Sequence, residues 1–239
     1  MTYVEGFVLA VPTAEQDRYR DLAARSVPLF KEFGVRRHVE CWGDDIPVGK
    51  LNDFRTAVQA KDGETVVFSW FEYPDRATRD AANEKIRTDP RMAEMGTDMP
   101  GDGQRMIVGG FAPIVEEGLG GSMGYTDGFV FAVPDANKEA YRALAARASL
   151  VFLDHGATRV LECWGDDVPD GKVTDYRRAT HAKPGETPAF SWIEWPDRAA
   201  RVAGWEKVMA DERMRHDPND QSFDGARMIY GGFVPIVDA

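Results

Sequence analysis

Residues Tyr3 to Val11 alternate in polarity and are rich in aromatic and branched side chains, a period of two that predicts a strand, and Pro12 ends it. Thr13, with Gln16 three residues on, has the spacing of a capping box. The helix expected after it places Tyr19, Leu22, Ala23, Ser26, Val27, Phe30 and Phe33 on one face and stops at Gly34. Pro28 predicts a kink in it. A strand over 35–42, a polar loop over 43–52, a strand near 53–60, a turn at 61–64 and a strand over 65–73 follow. Asp75 is placed to cap a second helix reaching about Thr88, and a last strand covers 104–115.

The whole pattern then runs again. From Tyr125 onward the chain aligns with itself at a constant offset of 122, and about 60 of roughly 115 paired positions are identical. A duplicated segment predicts two units, 1–115 and 125–239, joined by a glycine-rich linker over 116–124. Within each unit the order β-α-β-β-β-α-β predicts an α+β, ferredoxin-like plan with one added strand. Helices on one face leave the other face of each sheet needing cover, and the second unit supplies it. The expectation is an intramolecular pseudo-dimer, two antiparallel sheets packed around a shared interior. One stretch diverges: residues 93–101 end in Met99-Pro100-Gly101, whereas 215–223 end in Gln221-Ser222-Phe223.

The net charge of −11, spread evenly over both halves, argues against a nucleic-acid partner, which requires clustered Lys and Arg. No apolar run approaches the ~18 residues of a membrane span, and Met1–Glu5 lacks a basic leader, so no membrane partner and a cytoplasmic location are expected. Cys41 and Cys163 occupy one position in each repeat, which fits reduced, half-buried thiols better than a metal site. His38, His155, His181 and His216 face Val160, Phe33, Gln59 and Glu94 across the repeat. No symmetric histidine-ligated haem or metal follows, and neither cofactor nor metal is expected; an asymmetric site in one repeat stays open.

The runs Val39-Glu40-Cys41-Trp42, Asp45-Ile46-Pro47, Phe68-Ser69-Trp70, Asp89-Pro90-Arg91-Met92 and Gly109-Gly110-Phe111 resemble the DUF1428 (YbaA-like) family. The second copy repeats the resemblance through Leu161-Glu162-Cys163-Trp164, Phe190-Ser191-Trp192 and Gly231-Gly232-Phe233. It covers nearly the whole chain, although family members are usually single-copy. The resemblance implies a dimeric α/β-barrel fold, a superfamily that includes small-molecule monooxygenases, haem-degrading enzymes, decarboxylases and isomerases. It implies no particular activity.

Strand alternation puts Glu40 and Trp42 on one face with Cys41 on the other, and Phe68, Trp70 and Glu72 together on the next strand. Paired acids among aromatics suit general acid–base chemistry or a flat ligand. The candidate catalytic residues are therefore Glu40, Glu162, Glu72 and Glu194. Trp42, Trp164, Trp70 and Trp192 are candidates to stack on a ligand; Arg55, Arg177, Arg105 and Arg227 are candidates to hold an anionic group. Ion pairing of Glu40 with Arg55 or Arg105, and simple packing of the tryptophans, are the competing readings. Asp75, Arg76, Arg79, Glu84 and Lys85 recur at helical spacing and fit caps and a solvated face. The expectation is a small-molecule protein, either a cofactor-independent enzyme acting on an aromatic substrate or a non-catalytic binding module. A third possibility is a structural or stress interaction protein. The chain is expected as a monomeric pseudo-dimer or a further homodimer of it.

Overall fold

The structure is a computed structural model and describes residues 2–215 and 222–239. His216 and Gln221, and with them most of the divergent stretch of the second repeat, lie outside the described residues. The first repeat contains β1 (Tyr3–Pro12), α1 (Gln16–Phe33), β2 (Arg37–Asp45), α2 (Phe54–Ala57), β3 (Glu64–Tyr73), α3 (Arg76–Thr88), α4 (Pro90–Asp98) and β4 (Ile107–Glu117). The second contains β5 (Tyr125–Pro134), α5 (Lys138–Asp154), β6 (Arg159–Asp167), α6 (Tyr176–Ala179), β7 (Glu186–Trp195), α7 (Arg198–Ala210) and β8 (Ile229–Asp238).

The eight strands close into one antiparallel barrel, in the order β1-β3-β2-β8-β5-β7-β6-β4. The repeats are joined twice, by β2 to β8 and by β4 to β6, so among the described residues no edge of this sheet is left open. The two expected sheets are therefore one continuous sheet. Strand β4 also runs to Glu117, into the segment expected as linker, because residues 115–117 pair with β6.

Inward positions of the barrel are aromatic and fully buried. Phe68 and Phe190 stack at 4.5 Å, and Trp70 and Trp192 at 4.4 Å, across the pseudo-twofold. Gly6 and Gly128 make this possible: a Cβ on either would lie 2.9 Å from the ring of Phe190 or Phe68. The barrel interior is thus a packed core.

One predicted strand is a helix. Residues 53–60 alternate like a strand, but Asp53 accepts the Thr56 backbone N–H at 2.7 Å while Thr56 Oγ1 accepts the N–H of Asp53, a reciprocal cap that starts α2. The turn then drives Phe54 into the barrel end, 5.3 Å from Phe233, and Tyr176 of α6 does the same beside Phe111 at 5.0 Å. The capping box expected at Thr13 is not formed; a 3-10 turn, Thr13–Glu15, leads into α1 instead. Helix α1 continues through Pro28 and ends at Gly34, whose φ of 110° needs a residue without Cβ strain.

Candidate functional site

The alternation expected for β2 and β3 is observed, and it divides the candidate residues between two faces of the sheet. Val39, Cys41, Phe68 and Trp70 point into the barrel, whereas Glu40, Trp42 and Ser69 point outward under α1. Trp42 and Trp70 therefore do not line one pocket. Trp70 and Trp192 belong to the barrel core, Trp42 packs against Tyr19 at 6.2 Å, and Trp164 lies under the Lys138 ammonium at 4.9 Å.

Glu72 and Glu194 sit at one end of the barrel in a pseudo-symmetric ionic lattice. Arg159 reaches Glu72 at 2.7 Å, Glu194 at 3.3 Å and Glu116 at 2.7 Å; Arg37 reaches Glu194 at 2.6 Å, Glu72 at 3.4 Å and Asp238 at 2.8 Å. The indole N–H groups of Trp70 and Trp192 donate to Glu72 and Glu194. Burial pushes the Glu72 carboxyl up, but Arg159 and Arg37 outweigh it and hold it below the usual carboxylate range. A carboxylate kept ionised in this way is an anchor between the repeats. A hollow of about 680 Å³ opens over the lattice, floored by these already paired charges.

The four candidate arginines are also engaged elsewhere. Arg105 forks onto Glu64 at 2.7 and 2.8 Å and donates to the Gln59 carbonyl, and Arg227 repeats this with Glu186 and the His181 carbonyl. Arg55 donates to the carbonyls of Glu64 and Lys61, and Arg177 to that of Glu186. Among the described residues Glu40 pairs with neither Arg55 nor Arg105; its partners are Tyr19, Ser69 and His38. Arg79 is a further correction: the expected solvated face buries it, 5% exposed, where it crosses to Asp167 of the other repeat at 2.7 Å.

What remains around Glu40 is a buried polar cluster beside a cavity. Its carboxylate is 7% exposed and accepts from Tyr19 Oη at 2.7 Å and from Ser69 Oγ, while His38 Nε2 lies 2.9 Å from its other oxygen. Burial and the facing Glu40 push the Tyr19 phenol well above its usual range, so it stays a hydrogen-bond donor. The His38 ring packs edge-on against Phe71 and Phe30, and its buried Nδ1 has no partner among the described residues. The Nε2–H tautomer satisfies this arrangement, leaving Nδ1 a bare acceptor.

Glu40 lines a cavity of about 410 Å³ between α1, α3, α4 and the outer face of the sheet. Phe7, Phe30 and Phe71 provide apolar walls, and Met92, Met95, Met99 and Met106 line it from the α4 side and the approach to β4. A second acid, Glu5, also lines the cavity; Asn83 donates to it at 2.7 Å and Tyr73 at 3.3 Å. Burial raises its pKa. Glu40 is paired with Ser69, Ser69 with Phe7, and Glu5 lies two residues along from Phe7. Strand geometry therefore separates the two acids by about 12 Å between Cα atoms.

Sequence reasoning misses Tyr19 as a polar partner, Ser69, Glu5 and Asn83, and sets His38 aside because the second copy lacks it. The useful signal is His38-Val39-Glu40, an imidazole and a carboxylate two apart on one strand face. Glu162 repeats Glu40 with Tyr141 and Ser191 as partners and no imidazole; burial raises its pKa.

The chain is an α+β protein, a barrel closed from two repeats with helices outside and a cavity between helix and sheet. Two proposed monooxygenases share this fold over nearly the entire chain: one from Lactobacillus acidophilus NCFM and one from Fusobacterium nucleatum. The TM-scores are 0.61 and 0.62, at 10% and 9% identity, with 95% and 93% of those chains covered. An anthrone oxidase-like protein aligns with a TM-score of 0.52 at 14% identity, over 99% of this chain and 92% of that one. The family described as proteins of unknown function, DUF1428, matches residues 2–103 and again 124–225, and the chain belongs to it. YbaA of Escherichia coli K12, described as an uncharacterized protein, is 59% identical over 117 residues, all of its own length and 49% of this chain. Among the described residues no helix is long and apolar enough to cross a membrane.

Proposed function

We propose that the first repeat binds a flat, mostly apolar small molecule between α1 and the sheet, and that Glu40 takes a proton from it. The reading is carried by one observation: a buried carboxylate, held by two hydroxyls and an imidazole, faces an apolar cavity large enough for a bicyclic or tricyclic aromatic. Glu40 is the base, and Tyr19 and Ser69 fix its orientation. The His38 Nε2–H donates to the far oxygen and holds it in place. Removing a proton from a phenol or an activated ring C–H leaves an electron-rich anion, the species that reacts with dioxygen without a cofactor. Glu72, Glu194, Arg105 and Arg227 are left out of this path because their charges are already paired, and Arg55 and Arg177 because they donate to backbone carbonyls and do not line the cavity. The order β4-β1-β3-β2 within the repeat supports a ferredoxin-like unit, whose outer sheet face under its helices is where the cavity lies.

A non-catalytic binding role is favoured by a different detail: both Glu40 oxygens already accept hydrogen bonds. The name of one fold relative suggests anthrones, and the size of the cavity naphthols, as first compounds to try. Incubation of each with the protein in air, followed by chromatography and mass spectrometry, should show conversion that Glu40→Gln abolishes and Glu162→Gln leaves intact. A compound bound by the wild type and recovered unchanged would select the binding role. Conversion unaffected by Glu40→Gln would remove Glu40 from the mechanism.

A further inference from the structure

The two repeats share their framework but differ at the cavity, and the differences are concerted. Asn83, which donates to Glu5 at the cavity wall, is replaced by Trp205. The Trp205 indole packs on Phe152 at 5.0 Å and donates its N–H to Asp127 at 2.7 Å. Phe152 and Asp127 stand where Phe30 and Glu5 stand in the first repeat, and both of those line the cavity. The indole therefore spans the space that the first repeat leaves between Phe30 and Glu5.

The surroundings have adjusted to it. The acid is one methylene shorter, Asp127 for Glu5. It takes a second indole donor from Trp195 at 2.9 Å, where the first repeat has Tyr73, and Arg201 closes to 2.9 Å where its counterpart Arg79 stands 3.7 Å from Glu5. Gly204 replaces Ala82 and lies so close to Trp195 that a Cβ there has no room. At the other end, Phe131 replaces Leu9 and packs on Tyr141 at 5.4 Å, with Phe223 5.1 Å from Phe131. His38, which contacts Glu40, is replaced by Val160.

We propose that the chain carries one ligand site: the first repeat binds an apolar aromatic molecule beside Glu40, and Trp205 closes the equivalent space in the second. The inference rests on the cavity being a ligand site, as above, and adds which half holds it and which side chain decides. The second repeat then serves to complete the barrel and hold the first in shape.

The test is a fluorescence titration with phenylnaphthylamine, a neutral flat dye with one N–H donor. Wild type should bind one equivalent per chain. Asn83→Trp should bind none, as should Ala23→Phe, which fills the cavity from the α1 side, each checked for native circular dichroism. Trp205→Asn combined with Asp127→Glu should bind two. Two equivalents in the wild type, or one retained by a folded Asn83→Trp and by Ala23→Phe, would overturn the one-site proposal while leaving an aromatic-binding protein. No dye bound by the wild type would overturn the cavity as an aromatic site, and this inference with it.

Discussion

Phe68 is the residue whose truncation best separates a packed barrel from a hollow one. It is fully buried, stacks on Phe190 at 4.5 Å and on Phe233 at 5.2 Å, and meets Phe54 and Trp70 edge-on at 5.7 and 6.0 Å. Its ring also lies against the backbone at Gly128. Strands closed into a ring on all sides limit how far these neighbours can collapse. Phe68→Ala should therefore cost about 4 kcal/mol, well within the ~3–5 kcal/mol range for a phenylalanine truncated in a rigid core. Phe7, on the same sheet but facing the α1 cavity, has a packed partner on one side in Phe71 at 5.0 Å. Phe7→Ala enlarges an existing space and should cost about 1–2 kcal/mol, since fewer contacts are lost. Urea unfolding with an unchanged slope measures both; with a slope of about 3 kcal/mol per molar, Phe68→Ala should lower the midpoint by roughly 1.3 M. Equal costs for the two substitutions, or a Phe68→Ala cost below about 1.5 kcal/mol, would refute the assignment of the interior as core.

Arg159→Ala strips the buried lattice of a cation that serves three carboxylates, leaving Glu72 and Glu194 poorly compensated, and should destabilise by about 3 kcal/mol in the same assay. Arg105 and Arg227 hold Glu64 and Glu186 down at about 2, from 4.5, chiefly through their forked hydrogen bonds. The folded chain thus binds fewer protons than the unfolded chain between those values, so stability is fully present above about pH 4.5 and falls as pH drops toward about 2. Glu64→Gln with Glu186→Gln should flatten that part of a stability–pH curve; an unchanged slope would contradict the pairing.

Strand alternation alone sorts the candidate residues by face, and of them only Glu40 lines the cavity. It places Glu40 and Trp42 opposite Cys41, and Phe68, Trp70 and Glu72 together, because a period of two fixes facing directly. It does not fix what lies on each face: that Trp70 meets Trp192, and Glu72 meets Arg159, follows from the second repeat closing the barrel. The α2 turn is hidden for a related reason. Four residues are too few for helical periodicity, and the Asp53–Thr56 cap that starts it imitates a polar position in an alternating strand. Comparing the copies is instructive and misleading at once. Looking for a symmetric histidine site sets His38 aside, and nothing in the sequence singles out Asn83, yet the cavity lies where the copies differ. Family resemblance points to the barrel, and the family match confirms the duplication at 2–103 and 124–225.

The central claim, that ligand binds under α1 and outside the barrel, has a direct test in the methionines. Met92, Met95, Met99 and Met106 line the cavity, whereas Met123 belongs to the barrel core and Met228 packs beneath the second repeat. Methyl-labelled methionine followed by NMR during titration with phenylnaphthylamine reads each of them separately. The account predicts saturable shifts at Met92, Met95, Met99 and Met106, with Met123 and Met228 unmoved. Shifts centred on Met123 would move the site into the barrel, and shifts confined to Met228 would move it to the second repeat; either would contradict the account.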